Sequence, residues 1–312
     1  MDPTRRLIEL PGPVDLRLVL GIHGRGGADM ALRFSRDGSA WRATRTPEGP
    51  ATLWLLPESQ TRIRVDAWGA GARWAFEQAP DLLGASDDEE DFADRIAAIP
   101  LLRDLARRMP GLRLGRTARV LEALVPAIIE QKVTGAEARA SIAHLVRAHG
   151  EPAPGPWTGT GKPAPLRVPP AAATLAGLPG YAYHPLGLER RRADAIRFVA
   201  THANRVEECA ALPLPDAYAR LRALPLVGPW TAAEVGLRAF GDPDIVSVGD
   251  FHVPNTVCFG LAGDERGTDE RMLELLAPFA GQRGRVVRLL EAGGVSAPKH
   301  GPRMQARSIV DL

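Results

Sequence analysis

The chain has 312 residues, 45% of them apolar and 24% charged, with 39 basic and 37 acidic side chains and a formal net charge of +2. It is long enough for two or three compact units, each with a core of its own. Its two cysteines, Cys209 and Cys258, exclude a disulfide framework, a cysteine-rich zinc site and a four-cysteine iron–sulfur cluster. No apolar run reaches the length of a membrane span, and no charged-then-apolar signal pattern opens the chain, so the expectation is a cytoplasmic protein without membrane contact.

The N-terminal stretch, to about Gln78, reads as strands, most simply one antiparallel sheet with one buried face. Asp15–Leu20, Met30–Phe34, Ala51–Leu56 and Arg62–Asp66 are short β-prone runs. Gly24, Gly26-Gly27, Asp37-Gly38 and Pro47-Glu48-Gly49-Pro50 punctuate them. An acidic run, Asp87 to Asp91, then gives way to Arg103, Arg107, Arg108, Arg113, Arg116 and Arg119. Arginine suits phosphate contacts, and a GC-rich coding bias yields the same composition, so both readings stay open.

From about Asp91 the apolar period becomes helical. Thr117–Gln131 carries a core-facing stripe at Val120, Leu121, Leu124, Val125, Ile128 and Ile129. Thr134-Gly135-Ala136-Glu137 is a capping box that opens a helix running to His149 and stopping at Gly150. Glu151–Pro170, rich in Pro, Gly and Thr, reads as a loop. Further helices are expected at 170–177, 188–203 and 215–223.

The most informative segment is Leu221 to Ala233, read Leu-Arg-Ala-Leu-Pro-Leu-Val-Gly-Pro-Trp-Thr-Ala-Ala. A helix must end before Pro225, Gly228 permits a tight turn, and Pro229 suits the first position of a new helix. The second helix would point free N–H groups and its positive dipole end outward as an anion site, with Leu226-Val227 at the tip. A plain corner in a helical bundle fits the same residues.

This hairpin resembles the Leu-Pro-Gly-Ile-Gly-type hairpin of the helix-hairpin-helix DNA glycosylases, which is followed by a glycine- and proline-containing loop and an aspartate. Gly241-Asp242-Pro243 and the run to Val248-Gly249-Asp250 supply that pattern. Upstream, Ile128-Ile129-Glu130-Gln131-Lys132-Val133-Thr134 is similar to the family's Ile-Ile-Gly-Gln-Gln-Val-Ser segment. Downstream, Pro278-Phe279 and Gln282-Arg283 fall where alkylation-repair members carry an aromatic and an arginine. The resemblance spans about residues 90–292 and favours the branch represented by 3-methyladenine DNA glycosylase II.

It implies an α+β protein: an N-terminal antiparallel sheet domain (1–88), an all-α glycosylase body with a cleft (89–292) and a basic tail (293–312). It further implies a monomer acting on double-stranded DNA that contains damaged bases, in the cytoplasm at the nucleoid. The reaction would be hydrolysis of the N-glycosidic bond of an alkylated purine such as 3-methyladenine after base flipping.

Asp250 would be the catalytic carboxylate, although on local grounds an aspartate at a helix start is a cap. Trp230, Glu234, Gln131, Tyr181 and Gln282 would meet the base. Lys132, Leu226, Val227, Gly228, Thr231 and Arg283 would meet DNA, with Lys132 as a wedge or a backbone contact. Glu234 and Gln282 stand where alkylation-repair members have a Tyr and a Trp. Bifunctional relatives carry a Schiff-base lysine in the second hairpin helix; here Pro229-Trp230-Thr231 stands instead, implying a monofunctional enzyme. No cofactor or metal is expected apart from a monovalent cation at hairpin carbonyls. The alternatives are a glycosylase for deaminated or mismatched bases and a non-catalytic damage-binding protein.

Overall fold

The computed structural model describes residues 4–26, 29–157 and 165–298. The tail residues Lys299, His300, Arg303 and Arg307 and the loop residue Lys162 lie outside the described residues, as does Gly27.

Five strands form one antiparallel sheet in the order β1-β5-β4-β3-β2: β1 (Thr4–Glu9), β2 (Leu32–Phe34), β3 (Ala40–Thr46), β4 (Gly49–Pro57) and β5 (Arg62–Trp68). Cross-strand partners share a face, so Ala40, Leu53, Leu55, Ile63 and Val65 line one side. Two helices cover that side, α1 (Leu16–Leu20) and α2 (Ala72–Leu82), through Leu16, Val19, Leu20, Ala75, Ala79 and Leu82. On the opposite face Trp41 stacks on Trp54 and Trp68, each at 5.7 Å between ring centroids.

The sequence reading needs correction here. Asp15–Leu20 is not a strand: the Asp15 carboxylate accepts the N–H groups of Arg17 and Leu18 and starts α1. β1 and β3, which the β-prone runs missed, complete the sheet; β3 carries Arg42 and Arg45, whose partners Glu122 and Glu151 lie far along the chain.

The helices follow as α3 (Phe92–Ile96), α4 (Pro100–Arg108), α5 (Val120–Ile129), α6 (Gly135–His149), α7 (Ala172–Gly177), α8 (Arg190–Thr201), α9 (Ala203–Glu207), α10 (Leu214–Arg222), α11 (Pro229–Val235), α12 (Val253–Ala262), α13 (Asp269–Leu276) and α14 (Arg283–Ala292). The capping box at Thr134 and Glu137 forms as expected, and α6 ends at Gly150. The loop after α6 is not wholly irregular, since Glu151–Pro152 pairs with Arg167–Val168 as β6 and β7. α5 starts at Val120 and not at Thr117, because the Thr117 and Ala118 N–H groups turn aside to Arg238 and Ala239 carbonyls.

The helices build two cores. One joins α5–α11 through residues such as Ile128, Tyr183, Ile196 and Leu221. The other joins α3 and α4 to α12–α14, through Leu102, Leu105, Val257, Met272 and Leu290. Arg285 lies inside this second region, 2% exposed, chelated by Asp87 and with its guanidinium 5.5 Å from the Phe92 ring. Within the acidic run Asp87 is therefore an internal counter-charge, which also accepts Leu114 N–H, and Glu89 faces Arg113 and Arg285. Among the described residues no helix is long and apolar enough to cross a membrane, and no cluster of three His, Cys, Asp or Glu is placed to hold a metal.

Candidate active site

α10 and α11 are joined by a six-residue turn, and the residue that makes it is Leu226, with φ of 61°. Gly228 was the expected pivot, yet its φ is −87°, within reach of any residue. A Cβ built on Gly228 meets nothing within 4 Å. What the glycine leaves is open space over the start of α11, where Pro229 has no N–H and the first-turn amides lack intrahelical partners.

Pro225, Gly228 and Pro229 are exposed at this tip. Val227 is buried at 5% exposure and packs into the first helical core, and Thr231 is buried at 2%. Neither side chain is available at the surface. Their part in the hairpin is internal.

Gln131 explains how the turn is held. Its Nε2 donates to the Leu226 carbonyl and to Thr231 Oγ1, both at 2.8 Å. The next residue, the exposed Lys132, also has a positive φ, 54°. Two of the three non-glycine residues with positive φ among the described residues thus lie either side of one amide group. A left-handed conformation costs an L-residue about 1–2 kcal/mol, so each needs such a restraint. The result projects Lys132 from the α5–α6 turn beside the hairpin.

Asp250 sits across from α11. Its Oδ1 accepts the N–H groups of His252 (2.6 Å) and Val253 (3.0 Å), and its Oδ2 accepts Trp230 Nε1–H at 2.9 Å. The helix it caps begins at Val253, two residues later than Phe251, with Pro254 in its first turn. The carboxylate is half-buried, and Phe251 beside it is 81% exposed.

The loop bearing Asp250 is pinned at several points. Tyr218 donates to Asp242 at 2.6 Å. Asp244 receives the Arg283 guanidinium together with the Gly281 and Arg283 N–H groups. Burial opposes ionisation of Asp244, but those donors outweigh it and hold the carboxyl below its ordinary value. Burial, reinforced by Asp242, raises the Tyr218 phenol well above its ordinary range, so it stays a donor. Gly249 N–H bonds Asp269 at 2.9 Å. Arg283, expected at DNA, is thus engaged to Asp244.

Glu234, one turn beyond Trp230 on α11, accepts from Ser247 Oγ at 2.7 Å and pairs with Arg238 at 2.5 Å. Arg25, from the segment after α1, pairs with Glu130 at 2.7 Å. Burial drives the Glu130 carboxyl above its ordinary value against the pull of Arg25. Gln282 donates to the Asp88 carbonyl and accepts from Arg285, so its amide is committed to the acidic segment. Tyr181 is 80% exposed and makes no hydrogen bond to Trp230 or Asp250. Its neighbour Tyr183, also weighed as a pocket wall, is fully buried and donates to Leu175 O at 2.7 Å.

Ser247, Arg238 and Arg25 escaped the sequence reading. Arg238 had a legible signal, its i,i+4 spacing from Glu234. Ser247 and Arg25 had none, because their partners are remote in the chain.

No family model matches the chain. Two Mycobacterium tuberculosis proteins, from strains CDC 1551 / Oshkosh and ATCC 25618 / H37Rv, are each described as a probable bifunctional transcriptional activator/DNA repair enzyme AlkA. Both are 30% identical to it over 227 residues, 69% of this chain and 42% of theirs. The chain therefore spans about two-fifths of the length of these relatives. Among solved structures, the 3-methyladenine DNA glycosylase of Archaeoglobus fulgidus superposes with a TM-score of 0.78 at 21% identity, over 93% of this chain and 98% of that one. The Clostridium acetobutylicum 8-oxoguanine glycosylase/lyase, in complex with double-stranded DNA, gives 0.67 at 14% identity, over 93% and 97%. The fold is shared along nearly the whole length.

Proposed function

We propose that this chain, which has the fold of the helix-hairpin-helix DNA glycosylases, is a monofunctional DNA repair enzyme that hydrolyses the N-glycosidic bond of alkylated purines in double-stranded DNA. The observation that carries the reading is the three-point hold on Asp250, by the two amides of its own helix start and by Trp230 of the hairpin helix. This hold supports reading Asp250 as the carboxylate that would meet a flipped nucleotide.

In this reading the hairpin main chain grips a phosphate at Gly228 and the first turn of α11, while Lys132 enters or flanks the gap left by the base. The glycosidic bond breaks with its electron pair going to the base, and positive charge develops on the sugar. A carboxylate about 4 Å away, at an effective dielectric of about 20, stabilises that charge by about 4 kcal/mol. That is roughly a thousandfold in rate. Water then adds at the anomeric carbon and gives up a proton, leaving an abasic site. No lysine lies in α11, so no Schiff base follows.

We further propose the division into 1–88, 89–292 and 293–312, supported by a sheet core separate from the two helical cores. The protein would act as a monomer in the cytoplasm, at the nucleoid. A monovalent cation would draw on the Leu224 and Leu226 carbonyls, each of which already accepts one donor and keeps a second lone pair.

The hydrogen-bonded Glu234 and the diverted Gln282 favour a second reading, a glycosylase for deaminated or mismatched bases, because a neutral base is recognised by polar groups. Incubation with methylated duplex DNA separates the two. Release of 3-methyladenine or 7-methylguanine that falls about a thousandfold in Asp250→Asn, with abasic-DNA binding kept, supports the main proposal. Absence of release by the unaltered protein, with that binding intact, removes the substrate assignment.

A further inference from the structure

A cavity of about 240 Å³ lies between the sheet and the helices, with β2 and β3 on one side and α5 and α6 on the other. Neither Trp230 nor Asp250 lines it. Its floor is aliphatic, formed by Val125, Ile129, Ile142 and Val146. Its polar lining holds six arginines and three carboxylates, Asp29, Glu122 and Glu207. Five of the arginines have carboxylate partners, Arg25 with Glu130, Arg42 with Glu122, Arg45 with Glu151, Arg119 with Glu207 and Arg238 with Glu234.

The carboxylates are saturated. Asp29 accepts the N–H groups of Arg25, Ala31 and Leu32. Glu122 accepts from Arg42 and Thr44. Glu207 accepts the Val120 and Leu121 N–H groups and faces Arg119.

Three groups on the basic side are not. His23 Nε2 and Arg119 Nε are buried without a partner. Arg139 makes no hydrogen bond or ion pair with another described residue, and its side chain lies against Gly26, on the His23 loop. Burial, then the fields of Arg42, Arg238, Arg25 and Arg288, hold the His23 imidazole well below the ordinary histidine range.

We propose that this cavity is a binding site for a small organic anion with an apolar body, of the medium-chain carboxylate class. The head group sits between Arg139 and His23, two groups on the cavity lining whose nitrogens lack an acceptor. The body lies on Val125, Ile129 and Ile142. An unpaired buried nitrogen is costly, and an acceptor supplied from outside satisfies it. The proposal is independent of base excision, since it uses none of the residues at the Trp230–Asp250 pair.

The probe is octanoate, titrated by calorimetry into the full chain, with octan-1-ol and inorganic phosphate as comparators. Octanoate should bind saturably, one per chain, and at least about tenfold more tightly than octanol, the worth of one charge contact near 1.4 kcal/mol. Phosphate, lacking the apolar body, should bind at least as weakly as octanol. The exposed Arg139→Ala should weaken octanoate about tenfold with the melting temperature unchanged. Ile142→Trp, which fills the floor, should abolish binding. The idea is overturned by no saturable octanoate binding, by octanol or phosphate binding as tightly, or by an unaltered affinity in Arg139→Ala.

Discussion

Trp230 donates its indole N–H to Asp250 Oδ2 at 2.9 Å, and this bond joins the hairpin helix to the loop that carries the carboxylate. It fixes the side-chain torsion of Asp250. It also turns the indole edge toward the carboxylate, which sets the plane of the ring.

Trp230→Phe keeps an apolar ring and removes the donor. If Asp250 acts on the sugar, kcat for base release should fall about 10- to 100-fold, the value of a hydrogen bond to a charged group. KM and abasic-DNA affinity should stay within about threefold. Equal losses in kcat and in binding would mean that Trp230 serves the hairpin and not the carboxylate.

Gln131 bonds the hairpin twice through one nitrogen. Gln131→Ala leaves the Leu226 carbonyl without that donor and should cost about 1–3 kcal/mol in chemical denaturation. Gln131→Glu sets an acceptor against an acceptor and should cost more. Duplex affinity should fall in both, since the turn would no longer be held for a phosphate. Retained affinity in the destabilised variants would separate the tie from DNA binding.

Leu226 has a left-handed backbone that β-branched residues adopt poorly. Leu226→Val should therefore destabilise by about 1–2 kcal/mol, whereas Leu226→Gly should recover the conformational part of that loss. Denaturant midpoints for the pair test this directly: Val more stable than Gly would show that packing, and not φ, dominates the site.

Tyr183 gives an alkaline signature. Burial pushes its phenol from 10.0 up to about 12. Between those values the unfolded chain loses the proton while the folded chain keeps it, so stability present below pH 10 is lost as pH rises through about 12. The loss approaches roughly 2–3 kcal/mol. Tyr183→Phe gives up the bond to Leu175 O, about 1 kcal/mol at neutral pH. It should equal or exceed the parent in stability near pH 11.5. A constant gap between the two across pH 8–11.5 would refute the assignment.

Local chemistry was legible wherever a few consecutive residues carry it. The Thr134–Glu137 capping box, the stop at Gly150, the Pro229 helix start and the Asp250 cap all formed within a residue or two of expectation. Asp15–Leu20 misled because alternating aliphatic and polar residues suit a strand until the Asp15 side chain claims the backbone N–H groups of Arg17 and Leu18. Val227 and Thr231 seemed to belong to an exposed tip, and only the packing of α11 on α5 buries them.

By itself the sequence determined the hairpin, the aspartate that follows it and the change from strands to helices, since each depends on torsions and hydrogen bonds between near neighbours. Only the tertiary structure decided the partner of each charge. Arg283 goes to Asp244, Arg285 to Asp87, Arg25 to Glu130 and Arg42 to Glu122, pairs up to 198 residues apart. A charged side chain is soluble in any unfolded arrangement and carries no periodic signal of its destination. Its partner is chosen when burial strips away water, and burial is a property of the assembled cores.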